Sequence, residues 1–164
     1  MLAMIHTVLT RREKRQIRYA YTKLESLRVV IAAARINMEA VALQIGDKHL
    51  RRSILTFVAE TSPCEQGIKK QMSTLAMVFP LHDLHPMMNE DNETLNFSTP
   101  FECALYFEKR TTQAFRILLN DYEIMPEIRN TLQQYLNEML YAYLKIKLLN
   151  SFSFKELSGE KSLF

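Results

Sequence analysis

The chemistry to test first in this sequence is metal-assisted, because carboxylates and imidazoles occur along strongly helical stretches. A dinuclear centre inside a helical bundle takes a Glu from each of two helices and a Glu-x-x-His from each of the other two. The i, i+3 spacing puts carboxylate and imidazole on one helical face. No Glu-x-x-His is present: Glu60 is followed three positions later by Pro63, Glu65 by Ile68, Glu108 by Thr111 and Glu138 by Tyr141. Glu108, with Glu39 beside it in the count, is the carboxylate expected to project towards a helical interior. Two carboxylates do not hold an oxygen-activating centre. Glu108 is expected to pair with Arg or Lys, or to bond to Thr61 or Tyr135, and Glu39 to lie on a solvated face. His82-Asp83-Leu84-His85 has imidazoles at a spacing that a helix would turn into a zinc half-site, but it abuts Pro86 and lacks further ligands. His6 and His49 are isolated. No metal ligand and no cofactor site is expected.

Other chemistries fare no better. Cys64 and Cys103 form neither a CxxC nor a Cys/His pattern and read as small buried hydrophobes in a reducing compartment. Nucleophilic catalysis has no G-x-S-x-G, and 3 scattered glycines cannot build a phosphate-binding loop. The remaining feature is a basic run, Arg11, Arg12, Lys14, Arg15, Arg18 and Lys23, interleaved with Tyr19 and Tyr21. Such a run can neutralise phosphates and stack on bases, lie on an anionic membrane, or pack on the acidic part of its own chain. Residues 1–79 carry 13 basic and 6 acidic side chains and residues 80–164 carry 8 and 12, so the two halves attract each other without a ligand.

These residues need elements to position them, and the elements are helical. A chain of 164 residues with 48% hydrophobic and 24% charged residues is ordinary for one globular domain. So few glycines leave too few turns for a β-rich fold. No apolar run is long enough to cross a membrane. The opening MLAMIHTVL lacks the basic start and the cleavage site of a signal peptide, so a cytoplasmic protein is expected.

Residues 1–21 read as a basic N-terminal segment. Thr22 and Glu25 form a capping box, and Leu24, Leu27, Ile31, Ala34, Met38, Val41 and Ile45 then make a first apolar seam. Gly46 sits where a left-handed cap would close that helix, and Asp47 can cap the next. Leu50, Ile54, Phe57, Thr61, Cys64, Ile68, Met72 and Leu75 stay in phase across Pro63, which predicts one continuous kinked helix, although Ser62-Pro63-Cys64-Glu65 also resembles a helix start.

Periodicity vanishes over 79–98 and resumes with a capping box at Thr99–Glu102. The third seam is Phe101, Leu105, Glu108, Thr112, Phe115, Leu119 and Tyr122. After a break at Glu123–Met125, the fourth is Ile128, Leu132, Tyr135, Met139, Ala142, Ile146 and Leu149. Leu136, Leu140, Tyr141, Tyr143, Leu144 and Leu148 lie off that seam, which predicts a second apolar surface for a homo-oligomer or for the tail at 151–164. Both tight turns demand antiparallel hairpins. The loop of about 20 residues has the reach to cross a bundle roughly 36 Å long.

The first hairpin, KLESLRVVIAAARINMEAVALQIGDKHLRRSILTFVAETSPCEQGIKKQM, resembles that of a family of small bacterial ferritin-like four-helix-bundle proteins of unknown function. The second, ALYFEKRTTQAFRILLNDYEIMPEIRNTLQQYLNEMLYAYLKIKLL, is similar in its Phe115–Tyr122 helix end, its short proline-containing turn and its Lys145-Ile146-Lys147 close. The resemblance covers residues 22–150. It implies a ferritin-like bundle, two antiparallel hairpins joined by a long crossover, and a kinship with metal-binding bundles, but no activity. The expectation is therefore a non-catalytic structural or protein-interaction bundle. The alternatives are a metal-binding relative with a degenerate carboxylate site, and nucleic-acid binding through the basic segment.

Overall fold

The computed structural model describes residues 8–78 and 94–161, excepting the side chains of 152–161. It is all-α: four helices, α1 (Arg11–Gln44), α2 (Lys48–Val78), α3 (Pro100–Leu119) and α4 (Pro126–Lys161), pack against one another, with no strand among the described residues. No described helix is long and apolar enough to cross a membrane.

The helix starts follow from side chains that replace missing backbone partners. Thr10 begins α1: its hydroxyl accepts from the Glu13 N–H at 3.2 Å, and Glu13 accepts from the Thr10 N–H at 2.9 Å. The basic segment is therefore the opening of α1 and no separate appendage. Thr22 caps nothing, since its hydroxyl donates to the Arg18 carbonyl and Glu25 forms an ion pair with Arg28. Either box satisfies the same sequence rule. The upstream one wins because Ile17 and Ala20, buried in the core, add two turns to the apolar seam.

The end of α1 also differs from expectation. Ile45 leaves the helix in extended backbone, no described glycine has positive φ, and the Arg51 guanidinium donates to the Ile45 carbonyl. A cation thus occupies the negative end of the helix where a left-handed glycine was expected. Asp47 then starts α2 by accepting from the His49 N–H at 2.9 Å. Helix α2 runs unbroken through the exposed Pro63, as its uninterrupted seam requires. At Thr99 the hydroxyl accepts from the Glu102 N–H, while the Glu102 carboxylate reaches the Ser98 N–H. Helix α4 continues to Lys161, so residues 151–161 extend it.

Long-range bonds fix the directions. Tyr19 on α1 meets Asp121 beyond the end of α3, and Asn37 meets Leu95 before its start, so α1 and α3 are antiparallel. Arg35 pairs with Glu65, Lys145 with Glu60, and Lys147 with Glu108, which makes the α1–α2, α2–α4 and α3–α4 neighbours antiparallel too. Hence α2 and α3 run the same way, and so do α1 and α4, each pair on a diagonal. The end of α2 and the start of α3 lie at opposite ends of the bundle. The connection expected to cross between them falls mainly outside the described residues.

The core is one cluster drawn from all four helices. The seams of α1 and α2 are close to those read from spacing. In α3 the inner face is displaced: Cys103, Ala104, Phe107, Thr111, Phe115 and Leu118 are buried, while Leu105 and Tyr122 are exposed. In α4, Leu136 and Tyr143 belong to the core, with Tyr143 against Phe57 at a ring separation of 4.7 Å, and Leu149 is exposed. Seams alternate steps of three and four, and the wrong step at one residue rotates every later choice by about 100°.

Candidate functional site

The polar groups that enter this apolar interior are the candidates for chemistry. Four residues qualify among those described: Asn37, Thr61, Glu65 and Thr111, each at most 5% exposed. Glu108 and Tyr143 bring further polar atoms to the same depth.

Glu65 forms the first cluster, between α1 and α2. Its Oε2 accepts from Arg35 Nε at 3.0 Å and its Oε1 lies 3.6 Å from Lys69 Nζ, while Arg35 also reaches Glu39 at 3.9 Å. The Glu65 carboxylate raises the Arg35 guanidinium above its ordinary value, against the opposing effect of burial. One buried anion thus has two cations on it, and its charge is fully compensated. Glu39 is half-exposed and contributes only the outer edge of this network.

Glu108 forms the second cluster, between α3 and α4. Its Oε1 accepts from Lys147 Nζ at 2.9 Å, the lysine partner expected for it. Its Oε2 is buried without a hydrogen bond, and the hydroxyls of Thr111 and Tyr143 are buried near it. The Tyr143 phenol is pushed far above its ordinary value, chiefly by burial; a side-chain hydrogen bond with Thr111 opposes the rise, and the neighbouring Cys103 and Glu108 side chains add to it.

Glu39 and Glu108 are therefore not brought together. They belong to different helix interfaces, and each already has a cation. Among the described residues no three His, Cys, Asp or Glu side chains gather as a metal-holding group. His49 is exposed at the start of α2; His6, His82 and His85 lie outside the described residues. Both cysteines are buried and unpaired. Burial raises each thiol to about 12, helped at Cys64 by Glu138 and at Cys103 by Glu102, so neither is a ready thiolate.

The basic run lies along the first turns of α1, with Arg11, Arg12, Lys14 and Arg15 exposed. Its tyrosines are engaged elsewhere. Tyr19 donates to Asp121 Oδ2 at 2.5 Å and carries Lys23 over its ring at 5.4 Å, and Tyr21 is half-buried.

Four deep polar residues escaped the sequence reading, Thr111 because Thr112 was assigned to the inner face in its place. Glu65 resembled a capping residue after Pro63, and Asn37 and Tyr143 stood one step off the chosen seams. Their spacing did carry a signal: Glu65 is three before Ile68, Asn37 three after Ala34, and Tyr143 three before Ile146.

Among the described residues the surface offers a markedly apolar recess. It lies between α2 and α4, has a volume of about 410 Å³, and is floored by Phe57, Ala142, Ile146 and Leu149 with Arg52 and Lys145 at its rim. Beside it Tyr141, Leu144 and Leu148 stand exposed on α4 at steps of three and four.

Set against known proteins, the chain matches no family model, no curated protein and no solved structure.

Proposed function

We propose that this protein is a ferritin-like four-helix bundle that works without catalysis, as a cytoplasmic structural or protein-interaction element that self-associates through α4. The observation that carries this reading is the exposed row Tyr141, Leu144 and Leu148 beside the apolar α2–α4 recess. Three large apolar groups on one helical stripe cost free energy in water, and burying them against a second copy recovers it, about 25 cal/mol per Å². A two-fold arrangement of α4 against α4 uses the same stripe on both copies. The antiparallel neighbours and parallel diagonals support the ferritin-like path.

Sedimentation velocity over a range of concentrations tests the reading. The wild type is expected to dimerise, and Leu144→Glu with Leu148→Glu to be a folded monomer of unchanged helicity by circular dichroism. A wild type monomeric at all concentrations overturns self-association. Metal analysis of the purified protein tests the non-catalytic half: stoichiometric iron or zinc that is lost in Glu108→Ala or Glu39→Ala establishes a degenerate carboxylate site instead.

The exposed Arg11, Arg12, Lys14 and Arg15 favour a second reading, binding of nucleic acid by the opening of α1. It predicts affinity that falls steeply with salt and vanishes when these four are replaced by Gln.

A further inference from the structure

The apolar recess between α2 and α4 is polarised along its length. Its floor includes Phe57, Ala142 and Ile146, all buried in the core, and Leu148 and Leu149 form part of its wall. The two hydroxyls that line it already donate to their own helix. Ser53 donates to the His49 carbonyl at 3.0 Å and Thr56 to the Arg52 carbonyl at 2.8 Å. Between its charged ends the recess therefore offers a ligand no free hydroxyl hydrogen, which suits an apolar body.

The two ends differ in charge. Arg52 and Glu60 are eight residues apart on α2, about 12 Å along the helix axis. At the Glu60 end the carboxylate pairs with Lys145, whose ammonium also lies 5.2 Å from the centre of the Tyr141 ring. That end is neutral. At the other end Arg52 is exposed and has no acidic partner among the described residues. Lys48 and Arg51 add to its positive charge, and the first turn of α2 holds no acid, leaving only the capping carboxylate of Asp47 against the three.

Size and charge together define what fits. A volume of about 410 Å³ lies within the range of small-molecule sites, roughly 300–1,000 Å³. A guanidinium fork matches a carboxylate through two parallel N–H···O bonds. We infer that the recess binds a single-chain fatty-acid anion, its alkyl chain over Phe57, Ala142 and Ile146 and its carboxylate on Arg52. A cationic amphiphile would meet like charges at that end, and a neutral one would leave Arg52 without a partner. The inference does not rest on self-association, since of the exposed row on α4 only Leu148 lines the recess.

Isothermal titration of the full chain with decanoate and, separately, with decanol tests the assignment. Decanoate is expected to bind at one site per chain and more tightly than decanol. Arg52→Gln is expected to weaken decanoate about tenfold and to leave decanol unchanged. Thr56→Phe, at an exposed position on the lining, is expected to fill the recess and weaken both by at least about tenfold. Circular dichroism checks that the variants fold. A wild type that binds no decanoate overturns the inference, and so does decanol binding as tightly as decanoate, whether or not the variants fold. An unchanged decanoate affinity in folded Arg52→Gln or folded Thr56→Phe overturns it as well. A decanoate affinity that falls as protein concentration rises means that a second copy fills the recess, with the same consequence. Sedimentation of the ligand-free protein reports association separately: a monomer that binds decanoate removes self-association alone, and a dimer that binds none removes this inference alone.

Discussion

Arg35 is the principal partner of a carboxylate whose side chain is only 6% exposed, so removing it strands a charge inside the α1–α2 interface. Arg35→Met is expected to destabilise the protein by about 2–3 kcal/mol in urea unfolding, below the full figure for a buried pair because Arg35 is itself partly exposed and Lys69 remains. Arg35→Met with Glu65→Leu is expected to recover most of that loss, since the buried charge goes too. A different residue pair responds to pH. The Tyr19 hydroxyl holds the Asp121 carboxyl below its ordinary value, so the pair stabilises the fold above the ordinary carboxyl range and loses that contribution as pH falls through the lowered value. Tyr19 is in turn held protonated to about 12, chiefly by the same bond, so its own contribution disappears as pH rises from about 10 towards 12. Tyr19→Phe is expected to flatten both flanks of the stability–pH profile in thermal unfolding. The partner of Glu108 was legible in the sequence only as a class, Arg or Lys. The partners of Glu65 and Tyr19 were not, because Arg35 and Asp121 are 30 and 102 positions away and the α3–α4 turn has no period to read.

At the scale of the element, the caps discriminate most sharply. Thr10→Ala removes the acceptor for the Glu13 N–H and is expected to cost about 1 kcal/mol at the opening of α1, seen as faster amide exchange over residues 11–18. Thr22→Ala, at a mid-helix position, is expected to change stability by less than about 0.5 kcal/mol. Equal effects from the two would put the helix start back at residue 22. Four helices, two tight turns and the unbroken path through Pro63 were all readable, because apolar spacing survives local irregularity. Helix ends were less so: a Thr-x-x-Glu pattern states that a cap is possible, and burial of Ile17 and Ala20 decides which one forms. The face of α3 was misplaced for a related reason. Leu105 and Tyr122 are apolar yet exposed, whereas Ala104 and Thr111 are buried, so residue type outvoted geometry in the reading.

For the whole molecule, the sequence rightly implied one helical bundle with antiparallel hairpins, but the second apolar surface shrank once Leu136 and Tyr143 proved to be core. What remains exposed on α4 is the row Tyr141, Leu144 and Leu148, and the sedimentation measurements test whether a second copy covers it. The parallel diagonal of α1 and α4 has a mechanical consequence. The opening of α1 and the close of α4 lie at opposite ends, so a pull on Arg11 and Lys161 runs along the helix axes and slides neighbouring helices past one another. Tension from such points loads the lateral packing in shear, where many side chains must give way together, instead of peeling one helix off at a time. Single-molecule stretching from these two positions is expected to need a higher rupture force than stretching from Arg11 and Val78, which lie at the same end of the antiparallel α1–α2 pair and peel one helix off the other.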